Sequence, residues 1–136
     1  MKVSNVTACV QVRNDFGECF DFYTEKLGLV PIDGDRNGPF ANFSNSRDGE
    51  PFFSIHKAKD NSEKEEKSVD SSNTESTATL AAVFHTNNFE NVYNNWLEAG
   101  VQFAGKEVMS GEGYSFNIAY FSDTEGNMLS LEDGGV

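Results

Sequence analysis

The chain has only two histidines, and both stand near the ends of apolar, strand-like runs, as does one acidic residue. His56 comes two residues after Ser54, Glu132 comes two residues after Ser130, and His85 ends a third run. Side chains two residues apart lie on the same face of a strand, so His56 shares a face with Ser54, and Glu132 shares a face with Ser130. His56, His85 and Glu132 are therefore candidates for an acid–base pair or a metal site. The plainer interpretation, which we favour, is that each is hydrogen-bonded or hydrated near a strand end.

Cysteine chemistry is the other possibility that the residue types raise. The thiolate of Cys9 could act as a nucleophile, but no neighbouring charge in the sequence predicts a lowered pKa, and small residues in strands commonly just pack. Cys9 and Cys19 each fall within a predicted regular element, which indicates reduced thiols in a cytoplasmic protein. Four further polar residues could hydrogen-bond a bound molecule, depending on the strand register: Gln11, Tyr114, Asn117 and Tyr120.

A strand and a helix in the first half of the chain must position these groups. Residues Val6 to Val12 alternate in character, with Val6, Ala8, Val10 and Val12 on one face and Thr7, Cys9 and Gln11 on the other. This period of two predicts a half-buried strand. Asp15 can then cap a helix that ends at Gly28. The apolar stripe of that helix has the spacing i, i+3, i+4 and i+7, at Phe16, Cys19, Phe20 and Tyr23.

The same pattern returns in the second half of the chain. A strand is predicted where Leu80, Ala82 and Phe84 alternate with Ala81, Val83 and His85. Asn88 is the candidate cap of a helix closed by Gly100, and its stripe is Phe89, Val92, Tyr93 and Trp96. We interpret both stripes as surfaces that pack on the convex side of a sheet, so Phe20, Tyr23 and Trp96 belong to the core rather than to an aromatic ligand site.

Each helix is followed by three strand-like runs: LVPI, PFANFS and PFFSIHKA in the first half, and VQFAG, YSFNIAYFS and NMLSLE in the second. Both halves therefore have the order βαβββ, which indicates an internal duplication. Gly126-Asn127 is a turn that needs positive φ before the last run. The predicted organisation is one domain with a first module at 1–57, a charged, Ser-rich linker at 58–78 and a second module at 79–136.

Charge and composition exclude several classes of partner. The 136 residues carry a formal charge of −12, with an estimated pI of 4.4. Nucleic acid and anionic lipid would be repelled, so we expect neither as a partner. The sequence shows no signal-peptide apolar region and no run long enough to span a membrane, which favours a cytoplasmic location. An acidic surface would suit a cationic ligand, although it more often serves solubility.

With FYTEKLGL in the first helix, WLEAGV in the second and DTEGNMLSL near the end, the repeated βαβββ unit resembles the vicinal-oxygen-chelate superfamily. That superfamily includes glyoxalase I, extradiol dioxygenases, fosfomycin-resistance thiol transferases and bleomycin-resistance proteins. The resemblance implies an α+β fold in which two tandem modules form a curled mixed sheet around a concave cavity, usually in a dimer. In the enzymes, it implies a divalent metal held by up to four His, Gln or Glu side chains from the first and last strands of each module.

The places that the resemblance assigns to those ligands hold no good metal donor in this sequence. The first-strand places fall on Thr7, or on Ala8 if the junction is one residue longer, and on Ala81. The last-strand places fall on Ser130 and, by the internal match, on Ser54. Neutral hydroxyls and methyl groups cannot replace the imidazole, carboxylate or thiolate that catalytic metals need. We therefore expect no metal, no cofactor and no Lewis-acid chemistry at this site.

The sequence thus predicts a dimeric, metal-free protein that binds a small cationic or aromatic molecule in the concave cavity, with no assigned catalytic residue. One alternative is a metal-dependent lyase or dioxygenase with a rearranged site made of His56, His85 and Glu132. Another is an interaction module with an empty or collapsed cavity. The predicted ligand-binding residues are Thr7, Cys9, Gln11, Ser54, His56, His85, Ser130 and Glu132.

Overall fold

The computed structural model describes residues 2–3, 5–59 and 80–134. Residues 60–78 of the predicted linker lie outside the described residues. The first module contains β1 (Ala8–Val12), α1 (Phe16–Asp21) with a π-helical continuation (Phe22–Lys26), β2 (Val30–Gly34), β3 (Phe40–Ser44) and β4 (Phe53–Lys57). The second contains β5 (Leu80–His85), α2 (Phe89–Ala99), β6 (Phe103–Gly111), β7 (Tyr114–Ser122) and β8 (Met128–Glu132).

The strands form two four-stranded sheets with the same topology. Their orders are β1-β4-β3-β2 and β5-β8-β7-β6. In each sheet the first and last strands of the module pair in parallel, and the remaining pairs are antiparallel. The strands β1 and β5 lie beside one another where the sheets meet. The predicted α+β architecture of two βαβββ modules is therefore confirmed.

The first helix begins as predicted. Asp15 is its N-cap, and its side chain accepts a hydrogen bond from the backbone N–H of Glu18 at 3.0 Å. Cys19 and Tyr23 of the apolar stripe are fully buried, while Phe16 and Phe20 are partly buried against the same core. The prediction for the preceding strand was too long, because Val6 lies before β1 and is 84% exposed.

The second helix differs from the first in how it is capped. Asn88 occupies the N-cap, but its side chain makes no capping hydrogen bond. Instead, its backbone N–H donates to the hydroxyl of Thr86 at 3.0 Å. Gly100 ends the helix with φ of 104°, a conformation that favours glycine. The following strand, β6, extends to Gly111, well beyond the predicted run, because it forms a long hairpin with β7.

Both helices pack on one side of the sheets and share one hydrophobic core. A chain of aromatic rings crosses from one module to the other: Tyr23 to Phe53 at 4.7 Å, Phe53 to Phe84 at 5.4 Å, and Phe84 to Trp96 at 6.0 Å between ring centroids. Full burial of a phenylalanine such as Phe53 stabilises the fold by roughly 1.5–3 kcal/mol relative to exposure. The prediction that Phe20, Tyr23 and Trp96 belong to the core is confirmed. None of the helices in the described ranges is long and apolar enough to cross a bilayer.

Candidate functional site

The face of each sheet opposite the helices, called here the helix-free face, carries most of the predicted ligand-binding residues. In the first module, Cys9 is in register with Ser54, and Gln11 is in register with His56. Residues in register point to the same side of a sheet. Their neighbours in sequence, such as Val10 and Ile55, are buried against the helices. These four polar side chains therefore form one group on the helix-free face.

The second module repeats this arrangement with different side chains. Val83 is in register with Ser130, and His85 with Glu132. The hydroxyl of Ser130 donates to Oε2 of Glu132 at 3.5 Å. The next strand adds apolar surface on the same face, because Tyr120 lies opposite Ser130 and Ile118 lies opposite Glu132. At the equivalent first-module positions, Asn42 lies opposite Ser54 and Phe40 lies opposite His56, so Asn42 takes the place of Tyr120.

The predicted residues differ in how accessible they are. Ser54 and Ser130 are buried, with exposed fractions of 4% and 0%, so a ligand would meet them only at the bottom of this face. Thr7 lies one residue before β1 and outside the paired strand. Glu132 is partly buried, and the remaining four are exposed to solvent: Cys9, Gln11, His56 and His85.

The residues at the positions that the resemblance assigns to metal ligands do not fit a metal ion. Thr7, Ser54, Ala81 and Ser130 offer three neutral hydroxyls and a methyl group, and transition metals in proteins are held by imidazole, carboxylate or thiolate. Among residues 2–3, 5–59 and 80–134, no group of three His, Cys, Asp or Glu side chains comes together in a way that could hold an ion. We therefore derive no catalytic step through a metal.

Of the three residues of the alternative metal site, His56, His85 and Glu132, the structure brings only two together. His85 and Glu132 are in register on β5 and β8, but His56 lies in the other sheet beside Gln11. The side chain of Asn127 contacts the Gln11 carbonyl, and the residue after Asn127 is in register with the first residue of β5. His56 is in register with Gln11 and therefore lies near the start of β5. His85 is the last residue of β5, roughly 16 Å from the start of that strand. His56 is consequently too far away to share an ion with His85 and Glu132.

A pocket of about 570 Å³ opens between the two modules on the helix side of the sheets, at the edge of β5. We call it the inter-module pocket. Of the predicted ligand-binding residues it contains His85 alone, and the sequence patterns assigned Val92 and Trp96 to the core without indicating a space beside them. Its lining is Ala8, Leu27, Gly28, Leu29, Asn45, Phe52, Phe53, Ala82, Val83, Phe84, His85, Thr86, Val92, Trp96 and Leu131.

At the opposite end of β5, the loop before β8 packs against the start of α1; we call this contact the Asp123 junction. The hydroxyl of Tyr23 donates to Oδ2 of Asp123 at 2.6 Å, and both residues are buried. The other carboxylate oxygen of Asp123 accepts from the backbone N–H groups of Glu125 and Asn127, at 2.8 and 2.9 Å. Burial, together with the Asp123 carboxylate, raises the pKa of Tyr23 far above its usual range.

Glu125 completes this junction, and the sequence analysis missed it. Its carboxylate accepts from the backbone N–H groups of Arg13, Asn14 and Asp15 at 2.8 to 3.0 Å. Burial opposes its ionisation, but these donors outweigh burial and lower the pKa of Glu125. The interaction joins residues more than a hundred positions apart, so no local pattern could have indicated it.

The two cysteines lie in opposite environments. Cys9 is exposed on the helix-free face, and Cys19 is fully buried in α1. Burial, together with the nearby Asp123 carboxylate, raises the pKa of the Cys19 thiol to about 12. Both thiols are free, as predicted.

The other polar candidates are divided between solvent and internal contacts. Asn117 is hydrogen-bonded to Asp133: the backbone N–H and the side-chain amide of Asn117 donate to the Asp133 carboxylate at 2.8 and 3.0 Å. Tyr114 is exposed near the hairpin end, 56% accessible. Of the three candidates on β7, only Tyr120 lies beside the predicted site, opposite Ser130.

Comparison with known proteins gives a family and a set of similar folds. UcmS2 is 21% identical to this chain, covering 97% of it and 100% of UcmS2, with a TM-score of 0.63. TnmS3, an antibiotic binding protein from Streptomyces sp. CB03234, is 20% identical over 99% of each chain, with a TM-score of 0.58. The fosfomycin resistance protein FosX from Mesorhizobium loti is 11% identical over 99% of this chain and 96% of its own, with a TM-score of 0.57.

Identities this low establish the fold alone, and no curated protein matches the chain. The sequence model of the Glyoxalase/Bleomycin resistance protein/Dioxygenase superfamily, however, matches residues 5–131. That match spans both modules, and the topology of the two sheets is the one that the resemblance implied. The chain therefore belongs to the Glyoxalase/Bleomycin resistance protein/Dioxygenase superfamily.

Proposed function

We propose that this protein binds a small organic molecule on its helix-free face and holds it by shape and polar contacts, without a protein-bound metal. The strand register supports this proposal, because it groups Cys9, Gln11 and His56 as accessible polar side chains on one sheet. The partly buried ring of Tyr120 lies on the same face of the other sheet. Ligand sites commonly combine apolar surface with a few polar groups that fix orientation.

The proposed contact residues are those predicted from the sequence, with the two serines at the base of the face. The charge of −12 favours a cationic or neutral ligand. Two structures of similar fold are described as an antibiotic binding protein and a fosfomycin resistance protein, which supports antibiotics as the first compounds to test.

We also propose a homodimer, as is usual in the family that the sequence resembles.

Thermal shift measurements with cationic and aromatic antibiotics, including bleomycin, test this function. A ligand present at 100 times its Kd stabilises the native state by about 2.7 kcal/mol. We expect at least one compound to stabilise the wild type and the variants Q11A and H56A to reduce that stabilisation. The matched control is N94A, which removes an exposed polar side chain from α2. Equal loss in N94A, or no stabilising compound, would contradict the proposal.

A metal-dependent lyase or dioxygenase is the second candidate, supported by the register of His85 with Glu132. It needs a third ligand that the described residues do not bring to this pair. Elemental analysis of protein purified without chelators separates the two functions. Stoichiometric nickel, zinc, manganese or iron that is lost in H85A would favour the enzyme, and a metal content far below one ion per chain would favour the metal-free binder.

A further inference from the structure

We propose that the inter-module pocket is a second binding site, which takes an uncharged, flat aromatic molecule with its apolar end inward. The pocket lies on the helix side of the sheets, whereas the function proposed above concerns the opposite face. His85 is the one proposed contact residue of that function that also lines the pocket, and Val83 on the same edge strand, β5, likewise borders both. The two proposals can therefore succeed or fail separately.

The inner wall of the pocket is apolar and held in place. Phe53, Phe84 and Trp96 line it and pack ring against ring, with centroid distances of 5.4 and 6.0 Å. The indole N–H of Trp96 donates to the carbonyl of Leu27 at 3.1 Å, which fixes the ring and satisfies its polar atom. Trp96 is 8% exposed, so the part of its ring that a ligand can reach is small and preformed, suited to an edge contact.

The charge of the lining indicates an uncharged ligand. The chain has 22 acidic and 10 basic residues among 136, yet none of the residues that line the pocket is Asp, Glu, Lys or Arg. A charged ligand would lose its hydration there without gaining a partner of opposite charge. This distinguishes the pocket from the helix-free face, where Glu132 is available to a cation.

The polar residues of the pocket stand where solvent reaches them. Asn45 and His85 are exposed, and Thr86 is partly buried. The Thr86 hydroxyl accepts from the backbone of Asn88, which leaves its own proton able to donate. A ligand that inserts an aromatic body toward Trp96 would thus keep one or two hydrogen-bonding groups near these side chains. The volume of about 570 Å³ lies within the range typical for drug-sized molecules.

The test uses N-phenyl-1-naphthylamine, an uncharged aromatic dye whose fluorescence increases in apolar surroundings. Trp96 is the only tryptophan of the chain, and its emission overlaps the absorption of the dye. We expect saturable dye fluorescence with energy transfer from Trp96. The variant V92W fills the pocket from α2 and should weaken dye binding at least ten-fold. The matched control V108W enlarges a 61%-exposed valine on β6, away from the pocket, and should stay within two-fold.

A second pair of variants keeps the test informative if V92W folds poorly. Phe52 lines the pocket and is 38% exposed, while Phe40 is a comparably exposed phenylalanine, at 42%, on β3. We expect F52A to weaken dye binding about ten-fold and F40A to leave it within two-fold. Dye that binds without energy transfer from Trp96, or equal weakening in F52A and F40A, would overturn the proposal.

The outcome is also separable from the function proposed for the helix-free face. The variants Q11A and H56A should leave dye binding unchanged, because neither residue lines the pocket. If these two variants abolish dye binding while V92W does not, the dye occupies the helix-free face and the second site does not exist. If the antibiotic panel fails but the dye result holds, only the pocket proposal survives.

Discussion

The two modules meet at two corresponding places, one for each loop that precedes a last strand. At the Asp123 junction, the loop before β8 contacts residues 13–15 and Tyr23. At the other place, the loop before β4 faces Thr86 and Trp96 across the inter-module pocket. We call the second place the Asn45 junction. The repeat makes the two positions equivalent: the residue after the glycine that closes each helix, Leu29 or Val101, donates its backbone N–H to the carbonyl of Tyr23 or of Trp96, both at 3.0 Å. Asp123 and Asn45 each follow a Phe-Ser pair that ends a strand.

The difference lies in which polar groups meet. Tyr23 donates to Asp123, whereas Trp96 donates to the Leu27 carbonyl instead of to Asn45. The loop lengths also differ, with five residues at 123–127 between β7 and β8 and eight at 45–52 between β3 and β4. One junction is therefore closed by a buried carboxylate, and the other keeps an open space. The comparison shows that the two copies of a duplicated unit can meet in different ways, with a hydrogen-bonded carboxylate at one junction and an open space at the other.

The largest expected effect comes from removing the carboxylate of the Asp123 junction. D123A should lower the free energy of unfolding by about 3 kcal/mol, because the Tyr23 hydroxyl and two backbone N–H groups lose a charged acceptor. The equivalent variant N45A should cost less than about 0.5 kcal/mol, as expected for an exposed side chain. Urea unfolding measures both. Equal losses would show that the two junctions do not differ in the way described.

Thiol labelling compares the same helical position in the two modules. Cys19 and Val92 occupy equivalent stripe positions, but Cys19 is fully buried while Val92 is partly buried beside the pocket. In a C9S background, we expect the thiol introduced by V92C to react with a disulfide reagent roughly 100-fold faster than Cys19, which corresponds to about 2.7 kcal/mol. Similar rates would mean that the Asn45 junction is as closed as the other.

The hydroxyl of Tyr23 can be removed without changing the ring. Y23F should lower the free energy of unfolding by about 1.5 kcal/mol, since Asp123 then loses a buried donor. The matched control is Y93F on α2, because Tyr93 is only partly buried and its ring contacts would be retained. We expect Y93F to change stability by less than about 0.5 kcal/mol. Thermal and urea unfolding should agree on the order of the two variants.

The smallest effect concerns Glu125 and depends on pH. E125Q should cost about 1 kcal/mol at pH 7, comparable to the loss of a helix cap. The pKa of Glu125 is lowered in the folded state, so its contribution is complete above the ordinary value of 4.5 and is lost as pH falls from there through the lowered folded-state pKa. The acid limb of the stability profile should be shallower in E125Q. The matched control is E98Q, which removes an exposed carboxylate from α2.

Local patterns predicted the elements and several of their ends. The alternation in residues 8–12 and the stripe from Phe16 to Tyr23 follow from burying one face of a strand or helix, which imposes periods of 2 and 3.6 residues. Asp15 as a cap and Gly126 with φ of 87° were likewise predictable, because each depends on its immediate neighbours. The strand boundaries at Val6 and in β6 were not, because pairing partners decide where a strand ends.

For the site, the sequence indicated which side chains share a face, and the register of β1 with β4 and of β5 with β8 agrees with that indication. It did not indicate that His56 would lie apart from His85, or that Ser54 and Ser130 would be buried. Those properties depend on how one sheet curls beside the other.

What the sequence determined by itself was the duplication, since that is a property of residue type and spacing. The absence of ligating groups concerns the positions that the family resemblance assigns to a metal. What only the tertiary structure decided was which of the two junctions closed. Tyr23 and Asp123 are 100 residues apart and meet at 2.6 Å, while Trp96 and Asn45 both line an open space. The physical reason is that a buried hydrogen bond forms only when the folded chain brings donor and acceptor within about 3 Å. The spacing of two residues along the sequence does not determine their distance in the folded protein.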